Sequence, residues 1–409
     1  MHSTKTILAT AYAINPFKGS EDGMGWNFVC QIARFNKVIA ITRENNRPQI
    51  ERYMAEHPSC LYENIQFYYF DLPYWMRFWK KGSRGALLYY WLWQKAMPGF
   101  IRTQQLQFDI VHNLNFHNDW TPSYLWKLGK PFVWGPIGHH PRIPSVYLKP
   151  YPFAYQIKES LTWAVKKYFW NVSSALRKTV QNADYICCMN QSVATVLDLK
   201  PGRWGIMPSV ATEDYGYLKT PSKDKFTVIS AGRLVPLKGF DLTILAFAKL
   251  VAQLPDAVKH KAELLIVGSG PELALYRQLA EQQQITPYIR FIEWIDRQDL
   301  LEMFKNASVF LFPSHEGAGM VVAEALSFGL PVVCLDNSGA GEFIDPSCGI
   351  SVSIGDYKET VNGLADALLL LHQDENLYQN MRVAARTRFE QQFHWDRRGE
   401  QLETIYQNL

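Results

Sequence analysis

The chain has 409 residues, of which 47% are hydrophobic and 14% aromatic, and a formal net charge of +4. This length and apolar content predict two globular domains and exclude a largely disordered chain. The six cysteines form no CxxC pair, which argues against a disulfide framework or a zinc site and favours a cytoplasmic protein. No run reaches the about 20 apolar residues that a membrane-spanning helix needs. The apolar N-terminal KTILATAYAI is interpreted as a first strand and not as a signal peptide.

The charge is distributed unevenly along the chain. Residues 1–208 contain 24 Lys and Arg against 12 Asp and Glu, whereas residues 209–409 contain 18 against 26. Such asymmetry indicates that the first half faces a polyanionic surface or a membrane. Solvated surface charge without a partner is the alternative.

Short β-rich runs alternate with longer helix-favouring segments, which is the pattern of βαβ units around a parallel sheet. The candidate strands are TILATAY, VIAITR, IQFYYF, DIVHNL, PFVWGPI and DYICCMN in the first half, and FTVISAG, AELLIVG, IRFIEW, SVFLFPS and PVVCLD in the second. Between the two groups, residues 201–225 are rich in Pro, Gly and Ser and are interpreted as a linker region. Two α/β domains are therefore predicted, with a boundary near residue 208.

Two glutamates flank a glycine-containing loop in SHEGAGMVVAEALSFGLPVV, residues 314–333. The surrounding pattern predicts a buried strand, the loop HEGAG, and a helix that ends at Gly329. Glu316 is then on the loop and Glu324 about one turn into the helix, at the carboxyl end of the strand, where open α/β sheets bind ligands. An acid that merely favours a helix N-terminus is the alternative for Glu324.

Two basic residues stand between a strand and a helix in SAGRLVPLKGFD, residues 230–241. Lys238 directly precedes a helix that begins near Phe240, where the helix dipole disfavours a cation by about 0.3 to 1 kcal/mol. An anion bound between Arg233, Lys238 and the helix amides would compensate for that cost. A solvated Arg and Lys on a loop are the alternative.

A third strand-to-helix junction, LLIVGSGPE, contains Gly268 and Gly270. It lacks the complete GxGxxG signature of dinucleotide-binding proteins, so it indicates only that the backbone can approach a ligand closely there.

These segments resemble the retaining GT-B glycosyltransferases of family 4, the glycosyl transferases group 1. The family's E-x7-E element matches Glu316 to Glu324, its GRL...KG element matches Arg233 and Lys238, and its VGxGP turn matches residues 267–271. The resemblance implies an α/β GT-B fold, in which two Rossmann-like domains face each other across a cleft and a C-terminal helix crosses back to the first domain. The N-terminal acceptor-side domain would be residues 1–208, completed by about 388–409, and the nucleotide-sugar domain residues 209–387.

The resemblance also implies roles for these residues. Arg233 and Lys238 would bind the diphosphate of a nucleotide sugar, Glu316 the hydroxyls of the donor sugar, and Glu324 the ribose. Gly317, Ala318, Gly319, Met320, Gly268 and Gly270 would complete the donor site. The sequence has no D-x-D pair to hold a metal ion, so metal-independent transfer without a cofactor is predicted.

In the first domain, three glycines follow the first strand in NPFKGSEDGMGWN, residues 15–27. In the family this loop reaches the donor phosphates and the acceptor. We therefore assign Gly23 and Gly25 to donor binding and Gly19 to the acceptor side, with a simple tight turn as the alternative.

Histidines follow two other strands of the first domain. The family often places a histidine after the DIVHNL strand, close to the donor sugar, and His117 is assigned to that position because His112, within the strand, has the pattern of a core residue. Asp119 on the same loop and His139 in FVWGPIGHH are assigned to the acceptor side. Surface positions are the alternative for His139, and no cysteine or carboxylate near it in sequence supports a metal site.

Aromatic and basic residues are concentrated in two segments of the first domain. The stretch from Leu72 to Phe108 has no acid, six basic residues and several tryptophans, among them Trp75, Trp79 and Trp93, and YLKPYPFAYQIKESLTWAVKKYFW repeats the mixture. Such segments suit an anionic membrane surface. Packing in the core or stacking on sugars is equally consistent with them.

The function predicted from these observations is retaining transfer of a hexosyl group from a UDP- or GDP-linked sugar to a saccharide or lipid-linked acceptor. This transfer would serve cell-surface polysaccharide or glycolipid synthesis, in the cytoplasm or on the inner face of the plasma membrane. The alternative is a catalytically silent GT-B-like scaffold or binding subunit of a polysaccharide-assembly complex. A dinucleotide oxidoreductase is disfavoured because the GxGxxG fingerprint is missing, and nucleic-acid binding because no recognition motif is present.

Overall fold

The computed structural model describes residues 4–82, 85–114, 118–217 and 225–409. The chain divides into two compact units. The first comprises Met1–His139, Leu161–Ser209 and Trp395–Leu409, and the second comprises His140–Ser160 and Val210–His394. The C-terminal segment thus returns to the first unit. Residues 140–160, which the sequence placed in the first domain, group instead with the second.

Each unit contains one parallel sheet. The strands are β1 Thr6–Ala11, β2 Lys37–Thr42, β3 Ile65–Tyr69, β4 Ile110–Leu114, β5 Phe132–Ile137, β6 Tyr185–Cys188, β7 Trp204–Ile206, β8 Phe226–Ala231, β9 Ala262–Val267, β10 Ile289–Ile292, β11 Val309–Phe312, β12 Val332–Leu335 and β13 Gly349–Val352. The order is β3-β2-β1-β4-β5-β6-β7 in the first sheet and β10-β9-β8-β11-β12-β13 in the second. Every predicted strand is present in these sheets.

Helices connect the strands, as βαβ units require. They are α1 Ser20–Ala33, α2 Arg47–Glu56, α3 Tyr74–Arg77, α4 Ala86–Thr103, α5 Ser145–Leu148, α6 Phe153–Val172, α7 Ser174–Asn182, α8 Gln191–Val196, α9 Phe240–Gln253, α10 Asp256–Lys259, α11 Leu273–Gln282, α12 Arg297–Asn306, α13 Met320–Ser327, α14 Ala340–Phe343, α15 Tyr357–Gln373, α16 Glu375–Gln392 and α17 Trp395–Gln407. Short 3-10 helices span Glu44–Asn46, Cys60–Asn64, Leu125–Leu128, Pro236–Lys238 and Thr286–Tyr288. Within the described ranges, no helix combines the length and the apolar content needed to cross a bilayer.

The core of the second unit lies on both faces of its sheet. Because successive side chains of a strand point to opposite faces, Val228 of β8 packs in the cluster with residues of α9 and α15, while its neighbour Ile229 packs with residues of α13 and α16. Helices therefore cover both faces, which explains why these strands are continuous apolar runs without alternation. Burial of each such side chain stabilises the unit by about 1.5 to 3 kcal/mol.

The last helix, α17, belongs to the core of the first unit. Trp395 and Tyr406 are buried, and the Trp395 ring lies 5.5 Å from that of Phe28 in α1. The Tyr406 hydroxyl is 2.6 Å from Nδ1 of His112, whose Nε2 lies 2.8 Å from the carbonyl oxygen of Gly135. Burial lowers the pKa of His112 to about 4, so its imidazole is neutral at pH 7. His112 is thus a core residue, as predicted.

Candidate functional site

The second sheet has its topological switch point between β8 and β11. From β8 the chain moves outward to β9 and β10, and it then returns to place β11 on the other side of β8. The loops that follow β8 and β11 therefore lie at the same edge of the sheet, and such a switch point is the usual ligand site of open α/β folds. These loops are residues 232–239 and 313–319, the two segments that the sequence singled out.

The structure brings Lys238 and Glu316 together at this switch point. Nζ of Lys238 donates to Oε2 of Glu316 at 2.6 Å, and both side chains are mostly buried. The ammonium also lies 5.1 Å from the ring centroid of Phe312, at the end of β11. Lys238 is thus neutralised by a carboxylate that lies on the loop after β11. An entering anion would compete with Glu316 for the same ammonium protons.

Backbone contacts fix the two loops against each other. The carbonyl of Leu237 accepts from the amide of His315 at 2.9 Å and from the Ser314 hydroxyl at 3.2 Å. Gly239, with φ of +67°, lies so close to the second loop that a Cβ there would be 2.1 Å from the carbonyl oxygen of Pro313. Only glycine fits this conformation and this approach. The position of the Lys238 side chain is therefore set by the backbone of both loops.

Arg233 lies on the same loop as Lys238, two residues after β8. Its side chain is exposed, and it forms no salt bridge with any residue in the described part of the chain. The positive charge of Arg233 also acts on the nearby Tyr155. Burial raises the pKa of Tyr155 to about 12, and the charge of Arg233 lowers it. An exposed guanidinium at the end of the central strand is available for a phosphate.

Glu324 is buried in α13 and pairs with a residue that the sequence did not single out. Its Oε1 accepts from Nη2 of Arg297 at 2.7 Å, and the same guanidinium nitrogen donates to the Tyr215 hydroxyl at 2.9 Å. Burial raises the pKa of Glu324, and the positive charge of Arg297 opposes that shift. Arg297 is the first residue of α12, 27 positions from Glu324, and no local pattern connects the two.

The segment 140–160 is tied to the second unit by tyrosines. The Tyr151 hydroxyl donates to Oδ1 of Asp241 at 2.7 Å, and that of Tyr357 donates to Oδ2 at 2.7 Å. Asp241 is buried in the first turn of α9, and its burial raises its pKa. The Tyr147 hydroxyl lies 2.7 Å from that of Thr360. These buried polar contacts are the physical reason why residues 140–160 group with the second unit.

The same segment also reaches the Glu316 loop. Nδ1 of His140 accepts from the amide of Gly317 at 3.1 Å. Gly317 begins the run of residues, together with Ala318, Gly319 and Met320, that leads into α13 and that was assigned to the donor. Their amides lie at a helix N-terminus, where backbone donors favour an anion. His140 therefore contacts this loop, and no pattern in the sequence predicted that contact.

Gly268 and Gly270 allow a close approach between two backbone segments of the protein itself. A Cβ at Gly268, whose φ is +142°, would be 1.9 Å from the carbonyl oxygen of Gly232, and one at Gly270 would be 2.3 Å from that of Leu234. These glycines let the loop after β9 pack on the loop that carries Arg233. The contacts account for both glycines without a ligand, and their assignment to the donor stays a prediction.

In the first unit, the sequence predicted that the glycines of residues 15–27 are all on a loop, and the structure shows that they are not. Gly19 directly precedes α1, whereas Gly23 and Gly25 are buried inside that helix. The amide of Asn15 donates to the carbonyl of Asp22 at 2.9 Å, so the loop folds back on the first turn of α1. The loop is shorter than predicted, because the helix α1 already begins at Ser20.

Asp119 and His139, 20 residues apart, meet in the interior of the first unit. Nδ1 of His139 lies 2.8 Å from Oδ2 of Asp119, and both side chains are buried. The His139 ring also lies 5.3 Å from that of Trp170 in α6. His117, assigned to the donor sugar, lies outside the described residues. Among the residues that are described, no group of three or more His, Cys, Asp or Glu side chains is arranged to hold a metal ion.

Comparisons with known proteins agree with this architecture. Residues 219–388 match the model of the family described as Glycosyl transferases group 1. The chain is 33% identical over 184 residues to a GDP-mannose-dependent monoacylated alpha-(1-6)-phosphatidylinositol monomannoside mannosyltransferase of Corynebacterium glutamicum, covering 43% of this chain and 45% of that protein. The chain spans about half or less of the length of the curated relatives that it matches.

Solved structures are similar over the whole chain. HepE of Anabaena, in complex with UDP, superposes with a TM-score of 0.63 at 13% identity, covering 99% of this chain and 100% of that one. WaaG, a glycosyltransferase involved in lipopolysaccharide biosynthesis, gives a TM-score of 0.62 at 17% identity, with 98% and 99% covered. At such identities the likeness establishes the fold. The chain therefore has the GT-B fold, and its residues 219–388 are similar to the glycosyl transferases group 1 family.

Proposed function

We propose that this protein is a retaining, metal-independent glycosyltransferase that moves a hexosyl group from a UDP- or GDP-linked sugar to a saccharide or lipid-linked acceptor. The acceptor would belong to the synthesis of a cell-surface polysaccharide or glycolipid, made on the cytoplasmic side of the membrane. The matched region of a GDP-mannose-dependent relative and the UDP-bound HepE structure support a nucleotide sugar as donor.

The observation that carries the proposal is the Lys238–Glu316 ion pair at the switch point of the second sheet. Cleavage of the bond between the anomeric carbon and the phosphate leaves negative charge on the diphosphate and positive charge on the sugar. Lys238 and the exposed Arg233 would stabilise the diphosphate. At an effective dielectric of about 20 and a separation of about 4 Å, one such pair is worth at most about 4 kcal/mol before desolvation.

In this scheme Glu316 has two partners in succession. Without a donor, it neutralises Lys238 of the neighbouring loop. When the diphosphate takes over the ammonium, the Glu316 carboxylate becomes available to accept hydrogen bonds from the hydroxyls of the donor sugar. The exchange keeps both charges compensated, which limits the cost of a partly desolvated site.

Glu324 would bind the ribose through the acceptor capacity that one bond to Arg297 leaves unused, since a carboxylate has about four lone-pair sites. Arg297 orients this carboxylate, and its positive charge opposes the rise in the pKa of Glu324 that burial causes. Arg297 is therefore proposed as a positioning residue. The amides of Ala318, Gly319 and Met320, at the start of α13, would complete the anion site.

Donor binding by the purified full chain tests this proposal. A screen of UDP- and GDP-linked hexoses should raise the thermal unfolding midpoint with sugars of one base and leave it unchanged with those of the other. The stabilising donor should then be hydrolysed slowly or transferred. Stabilisation without any turnover of the donor would favour the silent scaffold. No stabilisation by any nucleotide sugar would contradict the proposal.

A further inference from the structure

The outer face of α6 carries an exposed apolar stripe. Leu161, Val165, Tyr168 and Val172 recur at intervals of three and four residues, which places them on one face of the helix. Between 48% and 63% of each residue's surface is exposed. The opposite face of α6 is already packed: the Trp170 ring lies 5.4 Å from that of Trp163 and 5.3 Å from that of His139. The stripe is therefore not the core-facing side of the helix.

Helix α4 extends the stripe into a larger surface. Leu87 and Leu88, at the start of α4, are exposed, and they line an open cavity of about 550 Å³ together with residues of α6. The floor of this cavity includes Trp91 and Trp120. We call the six exposed side chains the α4–α6 face: Leu87, Leu88, Leu161, Val165, Tyr168 and Val172. Contiguous apolar surfaces of this kind mark interaction sites on soluble domains.

The charges around the α4–α6 face are mostly positive. Residues 160–183, which include most of α6 and all of α7, contain four basic residues and no acid, and residues 72–108 contain six basic residues and no acid. Lys167, Arg177 and Lys178 are exposed beside the stripe, and Lys95 is exposed with its ammonium 5.4 Å from the Trp91 ring. Helix α6 also carries Glu159, two residues before Leu161. A surface with a predominantly basic border is complementary to a bilayer with anionic headgroups.

The tryptophans of residues 72–108 divide between two roles. Trp93 is buried, and its indole nitrogen donates to the carbonyl of Phe70, so it is a core residue. Trp75 is exposed on α3. The aromatic content of this segment is thus explained in part by packing, and the α4–α6 face consists of residues other than Trp75 and Trp93.

We propose that the α4–α6 face docks on the surface of an anionic lipid bilayer. The apolar side chains would enter the boundary between headgroups and acyl chains, and the surrounding lysines and arginines would contact lipid phosphates. This proposal extends beyond sugar transfer and does not depend on it, because vesicle binding and donor binding are measured separately.

Sedimentation with vesicles tests the proposal. Vesicles of phosphatidylcholine with about one third phosphatidylglycerol should bind the full chain, and vesicles of phosphatidylcholine alone should bind it weakly. The double substitution Leu161→Asp and Val165→Asp should lower the vesicle-bound fraction about tenfold. Replacement of Lys167 and Lys178 by Glu should lower it by a similar factor at low salt and by less at high salt, where the surface charge is screened.

The matched control is Leu370→Asp with Val383→Asp, a leucine and a valine on helices of the second unit that are 45% and 59% exposed. This control should bind vesicles like the parent chain, and thermal unfolding should show that both double variants fold. Equal binding by the two double variants would overturn the proposal. So would a parent chain that is dimeric in solution and becomes monomeric on Leu161→Asp and Val165→Asp while vesicle binding stays absent, since the face would then bind a second copy.

Discussion

The two sheets of this protein carry different chemistry at their switch points. In the second unit, the loops after β8 and β11 hold Lys238 and Glu316 in an ion pair. In the first unit, the chain turns back between β1 and β4, and the pair found beyond β4, Asp119 with His139, is buried among aromatic rings. The proposed anion would compete with Glu316 for Lys238 at the first of these sites, whereas Asp119 and His139 are enclosed by the side chains of their own unit.

This difference suggests that the two units bind different parts of the proposed substrates. A nucleotide sugar brings a diphosphate, which needs cations and amides, and the described part of the second unit supplies both. The first unit offers buried polar pairs, aromatic rings and an exposed apolar face, which suit sugar rings and lipid. Changes of charge should therefore affect turnover of the donor through the second unit.

The largest effect is expected from Lys238→Ala. This substitution removes the cation that would compensate the charge of the leaving diphosphate. Turnover should therefore fall about 100- to 1,000-fold, as it does in other enzymes that lose one preorganised charge-stabilising donor. Glu316→Ala should lower turnover by a comparable factor. Release of the nucleoside diphosphate measures both.

Lys305→Ala is the control for Lys238→Ala. Lys305 forms an exposed pair with Glu302 at 3.2 Å in α12, and its loss should leave turnover within about twofold of the parent. Near-normal turnover of the Lys238 and Glu316 variants would refute the assignment of the site.

A smaller effect, on stability, is expected from Arg297→Met. Removal of the guanidinium leaves the Glu324 carboxylate buried without its cation, which should cost about 1 to 3 kcal/mol of unfolding free energy at pH 7. Because burial already raises the pKa of Glu324, loss of Arg297 raises it further. A carboxyl with a raised pKa destabilises the folded state as the pH rises, so the deficit should shrink as the pH falls towards 4.5, the ordinary glutamate value.

Urea unfolding at several pH values measures this deficit. Arg277→Met is the matched control, because Arg277 pairs with Glu293 on the surface and should cost less than about 1 kcal/mol at every pH. A deficit of Arg297→Met that does not change between pH 7 and pH 4.5 would show that Glu324 is not the group responsible.

The smallest effect is expected from Tyr151→Phe, which removes one hydrogen bond to the buried Asp241 and should cost about 1 to 2 kcal/mol. Residues 140–160 should then be cleaved faster by a protease, because this bond ties them to the second unit. Tyr155→Phe, a neighbour in the same segment whose hydroxyl has no hydrogen bond within the described chain, should change neither quantity. Equal cleavage of the two variants would contradict this role of Tyr151.

Much of this architecture follows from the sequence because it depends on local pattern. Apolar runs bounded by glycine gave the strands that form both sheets, and the placement of Glu316 on a loop and of Glu324 in the helix α13 is confirmed. Two strands were missed. β7 has three residues in a Gly- and Pro-rich stretch, and β13 has four, so neither is long enough to show a period.

The partners of the site residues could not be predicted, because they are set by tertiary packing. Arg297 is 27 residues from Glu324, and His140 is 177 residues from Gly317. The grouping of residues 140–160 with the second unit rests on Tyr151 and its contact with Asp241, 90 positions away. Gly268 is a further example. The sequence correctly indicated a close approach at this glycine, but it could not show that the approaching group is the carbonyl of Gly232.

The most direct test of a nucleotide-sugar site at the β8–β11 switch point is amide hydrogen exchange with and without the stabilising nucleoside diphosphate. Binding should slow exchange in residues 232–241 and 313–324, which contain Lys238, Glu316 and the start of α13. Exchange in the exposed helix α10, Asp256–Lys259, should stay unchanged. Protection that leaves both loops of the switch point unaffected, while the nucleotide is bound, would contradict the account.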